Sequence, residues 1–187
     1  MNLHVKRRQE LFIHFEECVK KHFDFLKSMS YSVDKNIMGW NATYTSEKVE
    51  VNVFYERISF EIYSTILLKK KDVRCSIDEI VQHVYKRKFL FATDENMVEN
   101  AVIELQELII RYGNSFLNGD ADAFENVLKE REESIKNYDL KAIEEKAVKA
   151  WENSNYDEVV MLYQSINGNL TPMQEKRLNI SLKKMKK

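Results

Sequence analysis

The sequence is short of the residues that interrupt regular structure. One proline and four glycines among 187 residues leave few helix stops and few positions free to take a left-handed backbone. Long regular elements joined by short turns are therefore expected. An excess of either charge is also missing. With 29 basic and 30 acidic side chains the net charge is −1, so no global field steers the chain towards nucleic acid or an acidic membrane surface. The two cysteines, Cys18 and Cys75, do not suggest the disulfide framework of a small secreted domain. The opening MNLHVKRRQE carries no apolar signal core, and no apolar run approaches the ~20 residues needed to span a bilayer. A reducing cytosol and no membrane association are expected.

What is present is core-forming material. Apolar residues make up 44% and aromatics 11%, enough apolar surface to offset the ordering entropy that keeps polar chains disordered. The length suits one domain with a helical appendage: an α+β domain over residues 1–120 and a helical C-terminal extension over 121–187. From Lys6 to Met29, the residues Phe12, Phe15, Val19, His22, Leu26 and Met29 recur at steps of three and four, the stripe of an amphipathic helix. Period two then takes over. Trp40, Ala42 and Tyr44 alternate with polar residues, as do Val49, Val51 and Val53, and then Ile58, Phe60, Ile62 and Ile66. Three successive strands, with a short fourth at Val73–Cys75, predict an antiparallel meander packed on helices. Its inner face is expected to carry Val49, Val51, Val53, Phe60 and Ile62.

Ser76 and Glu79 match a capping box ahead of a short helix with Ile77, Ile80, Val81 and Val84 on its buried side. The run Thr93-Asp94-Glu95 opens a longer helix with a stripe of Met97, Ala101, Leu105, Leu108 and Tyr112, expected to reach Asn118 before Gly119 stops it. Beyond it lie helices at 122–136, 140–152 and 156–166, and a last one opened by Thr171 and Pro172 with Gln174 completing the box.

The stretch HFEECVKKH sets His14, Cys18 and His22 at steps of four, spacing that invites a metal reading. His14 and His22 are nevertheless ~12 Å apart along a helix axis, too far for one ion with ligand bonds of ~2.0–2.3 Å. His4, Cys75 and His83 complete the soft donors, with no CxxC or HExxH among them. Packing is the better account, with His22 buried between helix and sheet and no metal held. No GxSxG, Walker loop or GxGxxG is present either. No catalytic, metal or cofactor-binding residue is assigned, and no enzyme activity is expected.

Basic clusters stand at 6–8, 69–71, 86–88 and 183–187. The second and third could meet beside Phe89 and Phe91 as a nucleic-acid surface, although lysines at element ends also serve to solvate them. The outer face of the meander would show Asn41, Thr43, Glu50, Asn52, Phe54, Glu61 and Tyr63. With Glu56 and Arg57 at the adjoining turn, Phe54, Glu61 and Tyr63 form the candidate surface for a protein partner, because aromatic anchors dominate binding energy.

The stretch VEVNVFYERISFEIYSTI, followed by SIDEIVQHVY and a helix ending IIRYGNSFLNGD, resembles small bacterial proteins similar to the immunity proteins encoded beside secreted or contact-dependent toxins. The resemblance covers about residues 10 to 125 and implies a cytosolic inhibitor without a catalytic motif. The segment KAWENSNYDEVVMLYQSI resembles a single tetratricopeptide-like hairpin, a packing unit for protein recognition. The expected function is a non-enzymatic interaction module that masks a partner, such as a cognate toxin. A regulator touching nucleic acid through its lysines is the first alternative, and an enzyme with a dispersed site the second.

Overall fold

The structure, a computed structural model, describes residues 3–33, 40–56, 58–82, 84–85, 92–166, 168 and 170–185, with side chains from residue 9 onward. The chain divides into two compact units, Met1–Leu128 and Lys129–Lys187. The α+β class read from the sequence holds.

Helix α1 (Leu3–His22) buries Leu11, Phe15, Cys18 and Val19 on one stripe. A single helix to Met29 was expected, but the chain turns at Phe23-Asp24 and resumes as α2 (Phe25–Ser28). The turn lets both Phe23 and Leu26 become fully buried. Ser30, in the left-handed region at φ 66°, then reverses the chain. Five strands follow: β1 (Ser32–Val33), β2 (Asn41–Thr45), β3 (Val49–Tyr55), β4 (Ile62–Leu68) and β5 (Val73–Ser76). Each pairs antiparallel with the next, giving the order β1-β2-β3-β4-β5.

Alternation decides the two faces. Ala42, Tyr44, Val51, Val53, Tyr55, Ile62, Ile66 and Cys75 are buried on the inner face, where α1 and three helices described next pack against the sheet. Phe60 and Ile58 depart from expectation. The strand expected from Ile58 begins at Ile62, as β4, because the chain turns back between Glu56 and Glu61, whose backbones pair at 2.8 Å. Phe60 sits in that turn at φ 58° and still packs against the core, whereas Ile58 is 88% exposed.

Helix α3 (Ile77–Val81) has the expected capping box: Ser76 Oγ accepts the Glu79 amide at 3.2 Å and the Ser76 amide donates to Glu79 Oε2 at 2.8 Å. Val84, expected on its buried side, lies past the end of the helix and is 62% exposed. Helix α4 (Glu95–Tyr112) is capped by Asp94, whose carboxylate accepts the Met97 amide at 2.9 Å. Its buried stripe is Val98, Ala101, Val102, Leu105, Leu108 and Ile109, so Met97 turns outward instead. It ends at Gly113, short of the expected Asn118, and α5 (Asn114–Leu117) follows. A Cβ at Gly113 would lie 2.6 Å from the Ile109 carbonyl oxygen, so the break tolerates only glycine. Gly119, at φ 73°, follows α5 instead of stopping the long helix as expected.

The expected helices at 122–136 and 140–152 are one, α6 (Ala121–Glu152), with 32 residues and no glycine or proline to interrupt them. Its first turns belong to the first core through Phe124 and Val127, with Phe116 and Phe124 edge to face at 5.0 Å. The first compact unit accordingly runs to Leu128. The second unit adds α7 (Tyr156–Gln164) and α8 (Pro172–Met185). Its own core is Ala147, Ala150, Val159 and Tyr163, with Trp151, Leu162, Ile166, Leu170 and Leu178 around them. No described helix is long and apolar enough to cross a membrane.

Candidate functional site

The histidine–cysteine stretch lies where α1 meets α4. His14 Nε2 donates to the Glu95 carbonyl at 3.1 Å, and the same nitrogen is 3.4 Å from Cys18 Sγ. An Nε2 that carries its proton towards a carbonyl has no lone pair left to deprotonate the thiol. Burial, and secondarily the Glu99 carboxylate, pushes the Cys18 thiol up to about 11. The pair is built against nucleophilic chemistry. His22 is largely buried, as expected, but its partner is α4 rather than the sheet. Its Nδ1 donates to Gln106 Oε1 at 3.1 Å, and its Nε2 is 3.8 Å from Glu99. Among the described residues no three His, Cys, Asp or Glu side chains are grouped to hold a metal. His4 and His83 lie outside the described side chains.

The lysine clusters are only partly described. Lys69 Nζ donates to the Ser46 carbonyl at 2.6 Å, and Lys71 pairs with Glu125. Lys48 and Lys70 line a groove of about 440 Å³ with Glu47, Leu68, Gly119 and Ala121. Residues 86–91, with which the 69–71 cluster was expected to meet, lie outside the described residues.

The outer sheet face sorts itself by register. Thr43 pairs with Asn52, and Asn52 with Thr65. Thr43 Oγ1 donates to Asn52 Oδ1 at 2.8 Å and Asn52 Nδ2 to Glu50 Oε1 at 2.7 Å, whereas the buried Thr65 hydroxyl of the same row has no hydrogen-bond partner among the described residues. Arg74 approaches Glu50 at 3.9 Å. Asn52 is in fact buried, so this part of the expected surface offers a partner little.

The next rows towards the β3–β4 turn differ. Phe54 stands directly opposite Tyr63, and their rings stack at 4.9 Å with planes 23° apart. One row further out, Glu56 is opposite Glu61, fixed by the 2.8 Å backbone bond between them. All four side chains are half-buried. Glu56 Oε1 accepts the Ile58 amide at 3.3 Å and Glu61 Oε2 accepts Ser59 Oγ at 3.2 Å. Among the described residues neither carboxylate is ion-paired. The Tyr63 phenol is pushed up, by burial first and then by the charge of Glu56. Four of the five expected surface residues are thus gathered into a two-by-two block, and the fifth, Arg57, lies outside the described residues.

Ile58, at the tip of the same turn, was missed. Period two gave its parity with Ile62 but not the point where the strand begins. The signal that could have revealed it is the polar flank of Glu56, Arg57 and Ser59, which also suits a four-residue loop. No protein-family model matches this chain, and no curated protein or solved structure matches it with significance.

Proposed function

We propose that the chain is a cytosolic, non-enzymatic interaction module that masks a protein partner, of the immunity or inhibitor kind, and binds through the β3–β4 end of its outer sheet face. The observation that carries this reading is the stacked Phe54–Tyr63 pair beside an isoleucine that is 88% exposed. Rings stacked across the paired strands β3 and β4 are pre-ordered, so they lose little conformational freedom on docking. Aromatic anchors of this kind carry most of the energy at interfaces. The chemistry of the other clusters agrees, since a protonated thiol beside a committed imidazole supplies no nucleophile.

The test is co-purification of the tagged chain with the products of its neighbouring genes, followed by sizing chromatography and a growth assay against any toxic neighbour. A complex is expected that protects cells, and Phe54→Ala with Tyr63→Ala should weaken it by ~30-fold or more, the scale of a hot spot. No complex and no protection, or a complex indifferent to both substitutions, would overturn the reading. The second reading is contact with nucleic acid through the groove lined by Lys48 and Lys70. It predicts binding that falls steeply with salt and is lost in Lys48→Ala with Lys70→Ala.

A further inference from the structure

We infer that the partner seats a cationic side chain, arginine in preference to lysine, on the Phe54–Tyr63 stack with its charge held between Glu56 and Glu61. This rests on the interaction reading above and specifies the chemistry of the partner. Residues two apart on one strand face are separated by ~6.6 Å at ~3.3 Å per residue. A cation over a ring lies within ~6 Å of the ring centroid. A guanidinium lying on the aromatic row therefore has the carboxylate row within hydrogen-bonding reach.

Electrostatics point the same way. Like charges directly opposite each other on a sheet destabilise it, and Glu56 and Glu61 are such a pair. Among the described residues neither carboxylate is ion-paired: their oxygens take only the Ile58 amide and the Ser59 hydroxyl. Fold stability gains nothing from this opposition, and an incoming cation removes it. Half-burial of all four side chains strengthens the attraction over that of fully solvated carboxylates. The negative ring faces and the two carboxylates disfavour an acidic anchor and favour a cationic one, although Arg74 already acts on the Tyr63 phenol from the neighbouring strand. Arginine fits best, because its planar fork stacks on an aromatic ring while bonding two carboxylate oxygens.

The probe is a hexa-arginine peptide, titrated into the isotopically labelled full chain and followed by amide chemical shifts, with a hexa-serine peptide as control. Saturable shifts at residues 54, 56, 61 and 63 are expected with hexa-arginine alone, weakened tenfold or more in Glu56→Gln with Glu61→Gln. That variant keeps side-chain size and relieves the repulsion, so its urea midpoint should be no lower than that of the parent. Shifts spread evenly over the acidic helix faces, or equal affinity in the double glutamine variant, would overturn the inference. The natural complex separates the two claims. If Phe54→Ala releases the partner while the glutamine variant holds it unchanged, the interaction reading stands and the cationic anchor falls. If neither variant releases it, both fall.

Discussion

Burial fixes what individual side chains do, and Cys18 is the sharpest case. Its thiol is pushed up to about 11 from 9.0 by burial first and by Glu99 second. A group whose folded pKa is raised contributes stability that is complete below its unfolded pKa and is lost as pH climbs through the folded one. The window here is pH 9 to about 11. Buried tyrosines, Tyr44 above all, are raised as well, so the measurement is a difference. The gap in urea midpoint between the parent and Cys18→Ala should be constant up to pH 9 and shrink above it. A gap that does not change with pH would show that Cys18 ionises freely. A thiol reagent at neutral pH should leave native Cys18 unmodified until urea unfolds the chain. Ser64 makes the opposite point. It sits in the inner row Ala42–Val53–Ser64, fully buried, and its hydroxyl has no hydrogen-bond partner among the described residues. An unmet buried hydroxyl costs ~1–3 kcal/mol. Ser64→Ala should therefore raise the urea midpoint, by a free energy of ~1 kcal/mol, and a lowered midpoint would show that the hydroxyl is satisfied in solution.

Among the elements, α3 depends most on its cap. It has only five residues, too few to be stable from propensity alone, and its Ser76–Glu79 box closes two backbone donors. Ser76→Ala should cost ~1 kcal/mol in denaturant unfolding, and hydrogen exchange should report faster opening at Glu79 than in the parent. Caps of this kind were legible because they reside in residue type at fixed spacing: Ser76 with Glu79, Thr171 with Gln174, Asp94 ahead of α4. The strand faces were legible for the same reason, since parity alone puts Phe54 and Tyr63 on the side away from Val53 and Ile62. Parity does not say where a strand begins, and so the alternation extends to Ile58, which lies outside β4. The opposition of Glu56 and Glu61 depends on register, which is set by the length of a turn that was read too short. Two glycines stand near the end of α4, and the helix ends at the first, Gly113, where any Cβ would meet the Ile109 carbonyl oxygen at 2.6 Å. The two residues of β1 are too few to show any period. Helix α6 was divided because residues 132–139 are exposed all round, leaving no apolar stripe to follow through a segment that nothing in its composition interrupts.

For the molecule as a whole, the apolar material forms two cores of unequal size. Among the described residues thirty buried ones make up the first, while Ala147, Ala150, Val159 and Tyr163 are the fully buried centre of the second. Two of those four are alanines, whose burial contributes little beside that of leucine or phenylalanine. The second unit compensates with polar contacts: Arg177 Nη1 donates to Glu144 Oε1 at 2.7 Å and to the Tyr163 hydroxyl at 3.3 Å. Each unit also holds one tryptophan. Trp40 meets Phe12 edge to face at 5.5 Å on the first core, and Trp151 meets Tyr156 at 5.8 Å on the second. Single-tryptophan variants, Trp40→Phe and Trp151→Phe, therefore report on the two cores separately. The Trp151 signal should be lost at lower urea than the Trp40 signal, because less apolar surface is withdrawn from water around it. Arg177→Ala leaves Glu144 without its cation in a partly shielded site and should lower the Trp151 midpoint by ~1–2 kcal/mol equivalent while leaving the Trp40 midpoint in place. Coincident transitions at both tryptophans, shifted together by Arg177→Ala, would instead show that the two cores unfold as one cooperative unit.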